Sequence, residues 1–164
     1  MIVPDVDIWQ NPFAMANTFT SLHCHIVFST KNRERWLRPE IEEDVWRYLG
    51  SICRTHEVKA LQIGGVADHV HLLIGIPPIL VLSDVVKRIK GESSKWLSKE
   101  NSGLAGFAWQ DGNGASTVGK SQIPDTIRYI QSQRYHHAKV TFEDEYRKFL
   151  KVHDLACEER FNFG

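Results

Sequence analysis

The stretch ADHVHLLIGI, Ala67 to Ile76, sets His69 and His71 one residue apart in a run otherwise suited to a β-strand. Side chains alternate along a strand, so both imidazoles leave the same face and can reach one metal ion. Neutral imidazole is the commonest protein metal ligand. Alone, a His-x-His pair serves equally well as two hydrogen-bonded strand residues. A third ligand and a reacting group nearby would give it chemistry. The segment PDTIRYIQSQRYHH, Pro124 to His137, supplies candidates for both. Ile123, Ile127 and Ile130 recur at helical spacing and mark a stripe expected to be buried. Tyr129 and Gln133, four residues apart, share a helix face that lies well over a right angle from that stripe, with His136 beside them. A tyrosine used for packing would sit with the isoleucines. Local pattern does not exclude Tyr135 or Tyr146 as the reactive phenol.

The elements that must hold these groups follow from periodicity and punctuation. Phe19 to Ser29 alternates and is rich in β-formers, which predicts a strand. Pro39 followed by Glu40, Glu42, Glu43 and Asp44 opens a helix to about His56, burying Ile41, Val45, Leu49 and Ile52. Val58–Val66 and His69–Ile76 form two strands joined tightly at Ala67-Asp68. Ser83 caps a helix to about Ser98. A glycine-rich segment leads to a short strand near Ala115–Val118. One helix runs from Pro124 to about His137 and Thr141 opens another. This order predicts an α+β fold, a ferredoxin-like βαββαβ antiparallel sheet with additional C-terminal helices that carry the tyrosine. Strands one and three would be the central pair. Leu22, Cys24, Ile26 and Phe28 of the first, with Val70, Leu72, Ile74 and Ile76 of the third, would pack under the crossover helices. His23, His25, Val27 and Ser29, with His69, His71, Leu73 and Gly75, would share the opposite, open face.

The chain has 164 residues, with 20 basic and 20 acidic side chains and no net formal charge. Its length fits one domain over residues 17–164 after a loosely ordered extension, residues 1–16. Met15 is a second possible start. No signal peptide or bilayer-spanning run is visible. Three scattered cysteines and no CxxC predict reduced thiols and a cytoplasmic protein. Zero net charge argues weakly against a nucleic-acid binder. Two basic runs, KNRERWLR (Lys31–Arg38) and KRIKGESSKWLSK (Lys87–Lys99), nevertheless suit a polyanion.

The text HCHIVFSTKNR, ADHVHLLI, FAWQDGNGAS and RYIQSQRYHH…TFEDEYRKFL resembles, in order and spacing, the HUH single-tyrosine transposases of the insertion-sequence-200-like group. The resemblance covers about residues 17–152. STVGKS, Ser116–Ser121, departs from it where a more apolar or hydroxyl-rich strand is expected. The resemblance implies that Tyr129 attacks a phosphate of single-stranded DNA, leaving a free 3′-OH and a 5′-phosphotyrosine bond that a second 3′-OH reverses, with no nucleotide cofactor. It implies that His69, His71 and Gln133 hold Mg²⁺ or Mn²⁺. It makes His23, His25 and His136 supporting or DNA-contacting groups, and Lys31, Arg33, Arg35, Lys87, Lys90 and Lys95 contacts to the phosphates of a hairpin end. Gly75 would let the DNA backbone approach. Members act as homodimers, the tyrosine helix serving either subunit's site.

GASTVGKS, Gly114–Ser121, matches the P-loop pattern literally. FAWQDGN is a poor buried strand to precede it, however, and Pro124 falls where the P-loop helix should be under way. An RNA-recognition module would need aromatic residues where the central strands carry histidines. A domesticated, hairpin-cutting relative would share the chemistry of a mobile element.

Overall fold

The computed structural model describes residues 19–100 and 104–155, with the Glu100 side chain left out. The expected N-terminal extension and Cys157 lie outside the described residues. Four strands, β1 (His23–Ser29), β2 (Lys59–Val66), β3 (His69–Gly75) and β4 (Gly114–Thr117), form one antiparallel sheet in the order β2-β3-β1-β4. The predicted central pair is the observed one, in a register that sets Ser29 against His69 and His25 against Leu73. The expected strand over Phe19–Ser29 begins only at His23. Val118 donates to the carbonyl of His23, and beyond this point the neighbouring strands have ended. Phe19 is fully exposed.

The two crossover helices, α1 (Pro39–Thr55) and α2 (Leu82–Glu100), cover one face. Pro39 opens α1 because its fixed φ suits a first turn and its missing N–H is not needed there, while Glu40 and Glu42 meet the positive helix end. Val45, Leu49 and Ile52 of α1 and Val85, Val86, Ile89 and Leu97 of α2 pack on Ile26, Phe28, Val70, Leu72 and Ile74. Every predicted inward position of the central strands except Leu22 and half-buried Cys24 is buried there; Leu22 lies before the strand and is half exposed.

The opposite face is not open. Helices α3 (Ile123–Gln131), α4 (Gln133–His137) and α5 (Phe142–Val152) lie across it, making three layers. His69 is fully buried and His71 nearly so. The tail helices carry too much apolar surface to be left in water: Ile130, Phe142 and Leu150 are all buried. The predicted single helix from Pro124 to His137 is two helices, broken at Ser132, whose amide reaches both Arg128 and Tyr129 carbonyls. The Thr141 hydroxyl accepts from the Asp144 amide and caps α5, as its position suggested. Gly114–Thr117 is strand β4 paired to β1, and the following helix starts only at Ile123, so the P-loop match has no phosphate cradle. Among the described residues no helix is long and apolar enough to cross a membrane.

Tyr129 is positioned by a close approach of α3 to β2. A Cβ added at Gly64 would lie 3.0 Å from Ile130 Cγ2 and 3.1 Å from the Ile130 carbonyl oxygen. The backbone of α3 cannot yield as a side-chain tip can. Gly64→Ala is therefore expected to shift α3 off the sheet, costing about 1–3 kcal/mol of stability. Chemical denaturation and the accessibility of Tyr129 to nitration check this.

Candidate active site

Strand β3 delivers His69 and His71 to the face covered by α3–α5, and their outward ring atoms converge. Nε2 of His69 and Nε2 of His71 are buried and have no hydrogen-bond partner, and neither has Oε1 of Gln133. Each such orphaned atom costs about 1–3 kcal/mol unless something fills the gap. The inner nitrogens are held. Nδ1 of His69 is 2.7 Å from Asp68 Oδ1, and Nδ1 of His71 is 3.0 Å from His25 Nε2. An Nδ1–H donated to a carboxylate or to a neighbouring imidazole leaves the Nε2 lone pair facing the cavity, the tautomer a metal ligand needs.

Two residues not anticipated as site groups complete the cluster. His137 of α4 and Glu145 of α5 bring one ligand atom each within 4.8 Å of those of His69 and His71. Nε2 of His69 lies 3.7 Å from Glu145 Oε2, Nε2 of His71 3.8 Å from Oε1, and Nε2 of His137 2.9 Å from Oε2. Ligands each about 2.0–2.3 Å from one ion lie no more than about 4.5 Å apart. The donor set therefore fits a divalent ion after movements of a few tenths of an ångström. The signal in the sequence was present. Phe142, Glu145, Tyr146 and Phe149 recur at helical spacing, and a carboxylate inside an aromatic stripe is out of place unless it has a polar task.

Burial sets the protonation of several of these groups. Burial pushes the Glu145 carboxyl up to about 8, with nearby Asp68 adding to it. Burial holds His71 well below its ordinary value, and His69 and His25 add to this. Burial brings His137 down to about 4, reinforced by His69. These imidazoles are thus neutral donors near pH 7. At Asp68, burial alone would raise the carboxyl, but the His69 hydrogen bond and the charges of Arg33 and His137 outweigh it and hold it low. Because Asp68 orients His69, Asp68→Ala is expected to weaken Mn²⁺ binding about 10–100-fold, measured by metal titration.

Tyr129 stands over this cluster in its own chain. Its ring centroid is 5.7 Å from that of His71, 6.0 Å from His25 and 5.6 Å from His136, all edge to face. The isoleucine stripe and the tyrosine face both meet the sheet, Ile130 over β2 and Tyr129 over β1 and β3. Gln133 follows on α4, its Nε2 3.4 Å from both the Tyr129 carbonyl and Glu145 Oε1. His25, Val27, His71, Tyr129, Phe142, Glu145, Tyr146 and Phe149 enclose a cavity of about 20 Å³, enough for one water-sized body. Of the supporting histidines, His25 and His136 reach the cluster, while His23 lies at the far end of β1. Gly75, opposite His23, would accept a Cβ with ordinary contacts, so the fold does not demand glycine there.

Burial depresses His25 to about 4, with His153 adding. Its ordinary value is 6.5, so the unfolded chain binds the proton first on acidification. His25 contributes stability above about pH 6.5 that is lost as pH falls toward 4, roughly 2–3 kcal/mol by pH 4.5. Glu145 acts in the opposite sense, since its raised carboxyl costs stability as pH rises from about 4.5 to 8. The His25 contribution is read as the difference in pH slope between wild type and His25→Gln in urea unfolding.

The expected basic contacts divide. Arg33 pairs with Glu143 at 2.8 Å and lies over Phe142, tying the loop after β1 to α5. Lys90 donates to the carbonyls of Gln110 and Gly112 and sits over Phe28, holding the loop before β4. Lys87 and Lys95 are exposed on α2, across the sheet from the imidazoles. Lys31 and Arg35 are exposed just beyond Ser29, the residue paired with His69.

Comparison with known proteins adds an independent line. A family model described as an IS200-like transposase matches residues 18–133, a stretch holding His69, His71, Tyr129 and Gln133. The transposase of insertion sequence element IS200 from Salmonella typhimurium is 32% identical over 124 residues, covering 71% of this chain and 81% of that protein. The ISDra2 transposase TnpA of Deinococcus radiodurans is 26% identical over 117 residues, 68% of this chain and 84% of that one. Among solved structures, a transposase from Deinococcus radiodurans R1 superposes with a TM-score of 0.60 at 25% identity, covering 71% of this chain and 94% of that one. A REP-associated tyrosine transposase bound to a REP hairpin has the same fold, with a TM-score of 0.57 at 16% identity over 87% and 90% of the two chains. A matched stretch of this extent, together with a relative of this identity and coverage, settles the kinship: the chain belongs to the family of IS200-like transposases.

Proposed function

We propose that this transposase cuts and rejoins single-stranded DNA through a covalent bond to Tyr129. The observation that carries the reading is the Tyr129 ring within 6 Å of His71 and His25, beside two buried imidazole nitrogens that have no partner. Attack by the Tyr129 oxygen on a backbone phosphorus forms the O–P bond as the bond to the 3′ oxygen breaks. The phenol loses its proton and the departing oxygen gains one, giving a 3′-OH and a 5′-phosphotyrosine. A second 3′-OH reverses these changes, so no nucleotide is consumed. His136, beside the Tyr129 ring and held below its ordinary value by burial, is neutral near pH 7 and suited to accept the phenol proton. His69, His71 and Gln133 would hold the divalent ion, Mg²⁺ or Mn²⁺. Such an ion, when bound, supplies Lewis-acid stabilisation of charge on the phosphate oxygens.

The substrate is a single-stranded hairpin end in this reading. Lys31 and Arg35 are the basic side chains exposed at the His69 end of β1 and suited to its phosphates. The outer edge of β2 borders a groove of about 900 Å³, and in this reading a second copy would join at an edge strand, β2 or β4. Incubating the full chain with short DNA hairpins and Mn²⁺ is expected to give a protein–DNA band on a denaturing gel. That band should disappear with chelator, and mass spectrometry should map the linkage to Tyr129. A band that survives chelation, or one mapped elsewhere, overturns the reading.

A further inference from the structure

We propose that Glu145 is itself a ligand of the divalent ion held by His69 and His71, the anionic member of the set. The inference rests on the metal-assisted reading above and extends it to a helix beyond the matched family stretch, which ends at Gln133. Three observations carry it. The two carboxylate oxygens divide between the two unpartnered nitrogens, Oε2 toward His69 and Oε1 toward His71, at 3.7 and 3.8 Å. Such spacings suit neighbouring ligands of one ion and are too long for hydrogen bonds. The carboxylate is 8% exposed, and the groups around it include His69, His71, His136, His137 and the Gln133 amide. A carboxylate buried from water needs a compensating charge, and a divalent cation at the two unpartnered nitrogens supplies one. Finally, α5 buries Phe142 and Leu150 on the turns around Glu145, so the sheet-facing side of the helix delivers this one charge to the end of both imidazoles.

A carboxylate changes what the site prefers. Two imidazoles and an amide favour no hard ion strongly, whereas an added oxygen anion favours Mg²⁺ and Mn²⁺. It also ties α5 to β3 through the ion, so that metal binding and closure of the third layer are linked.

The test is a Mn²⁺ titration of the full chain by electron paramagnetic resonance, with the visible spectrum of the Co²⁺-loaded protein. Glu145→Gln keeps the shape, removes the charge and turns one acceptor oxygen into a donor. It is expected to weaken Mn²⁺ binding by more than about 100-fold, beyond the about 10–100-fold typical of a residue acting through another ligand. It should also change the Co²⁺ spectrum. Glu145→Asp, which keeps the charge, is expected to fall between and serves if the glutamine variant does not fold. Wild-type Mn²⁺ affinity in Glu145→Gln overturns the proposal. So does weaker binding with an unaltered Co²⁺ spectrum, the result for a residue that only positions His137. His71→Ala separates the two levels. If it loses Mn²⁺ while Glu145→Gln keeps it, only the Glu145 assignment fails. If it too binds as wild type, the metal reading fails as well.

Discussion

Tyr129→Phe is expected to abolish the covalent protein–DNA product and to slow strand cleavage by at least about 10⁴-fold, the scale of losing a nucleophile. Metal binding should change by less than about twofold. The substitution removes one oxygen and keeps the ring, whose edge-to-face packing on His25, His71 and His136 does not use the hydroxyl. Packing and the proposed metal ligands should therefore survive while the proposed attacking atom is gone, and the two measurements must part company. The other described tyrosine candidates are poor substitutes. Tyr135 is 68% exposed, and its hydroxyl accepts from Lys139 on the outer side of α4. Tyr146 lines the same small cavity but is stacked between Phe142 and Phe149. A covalent band that persisted in Tyr129→Phe would move the nucleophile to Tyr146. Loss of Mn²⁺ binding along with the band would mean the ring is a structural support rather than the reacting group.

How the site came to be readable in the sequence follows from the strand geometry. In HVHLLIG every second residue had to choose between hydrocarbon and something else, and the choice fell to Val70, Leu72 and Ile74 on one side and His69 and His71 on the other. Alternation excludes one-residue slips, which would carry the apolar set to the other face, but the pairing of Ser29 with His69 is fixed only in the folded sheet. The same reasoning failed on the covering of the histidine face. Period-two alternation says which residues share a side but is silent about what lies over it. A polar face suggested water, whereas α3–α5 lie there. Tyr129 lies off the isoleucine stripe, and a helix burying one narrow arc would leave it outside. Lying flat on a sheet, α3 buries a wider one, with Ile130 against Gly64 and Tyr129 against His71. The break at Ser132 had no proline or glycine to announce it. Glu145 stands out only as a carboxylate inside an aromatic stripe, and His137 reads as an ordinary surface residue until α4 is folded back onto His69.

A site of this kind is costly to the protein that carries it. Two imidazole nitrogens of β3 and the Gln133 oxygen of α4 are buried without partners, and burial pushes up the Glu145 carboxyl of α5, while the other face of the sheet packs an apolar core. The division is economical in one respect: β3 anchors the core with one set of side chains and holds the site with the other, so each imidazole inherits the rigidity of the packed strand. Hydrogen bonds that the Nδ1 atoms of His69 and His71 make to Asp68 and His25 then fix ring orientation without blocking the outward nitrogen. Sites supported from behind in this way hold their geometry before any ligand arrives.

His71→Ala is expected to remove both metal binding and the effect of metal on stability. His71 is nearly inaccessible, and its outward nitrogen is one of the orphaned atoms. For wild type, an ion that binds only the folded chain stabilises it by about 2.7 kcal/mol at a free concentration 100 times Kd. In His71→Ala one ligand is lost and His25 Nε2 loses its partner, so Mn²⁺ affinity should fall by more than about 100-fold and the thermal shift should vanish at the same concentration. The metal-free variant is expected to be weaker than metal-free wild type by only about 1–3 kcal/mol. The cavity left by the ring costs stability, but removal of an unsatisfied buried nitrogen offsets part of that cost. Melting curves with Mn²⁺ and with chelator separate the two effects. An undiminished metal-induced shift in His71→Ala would show that the ion is held elsewhere, and the adduct would then need another source of charge stabilisation.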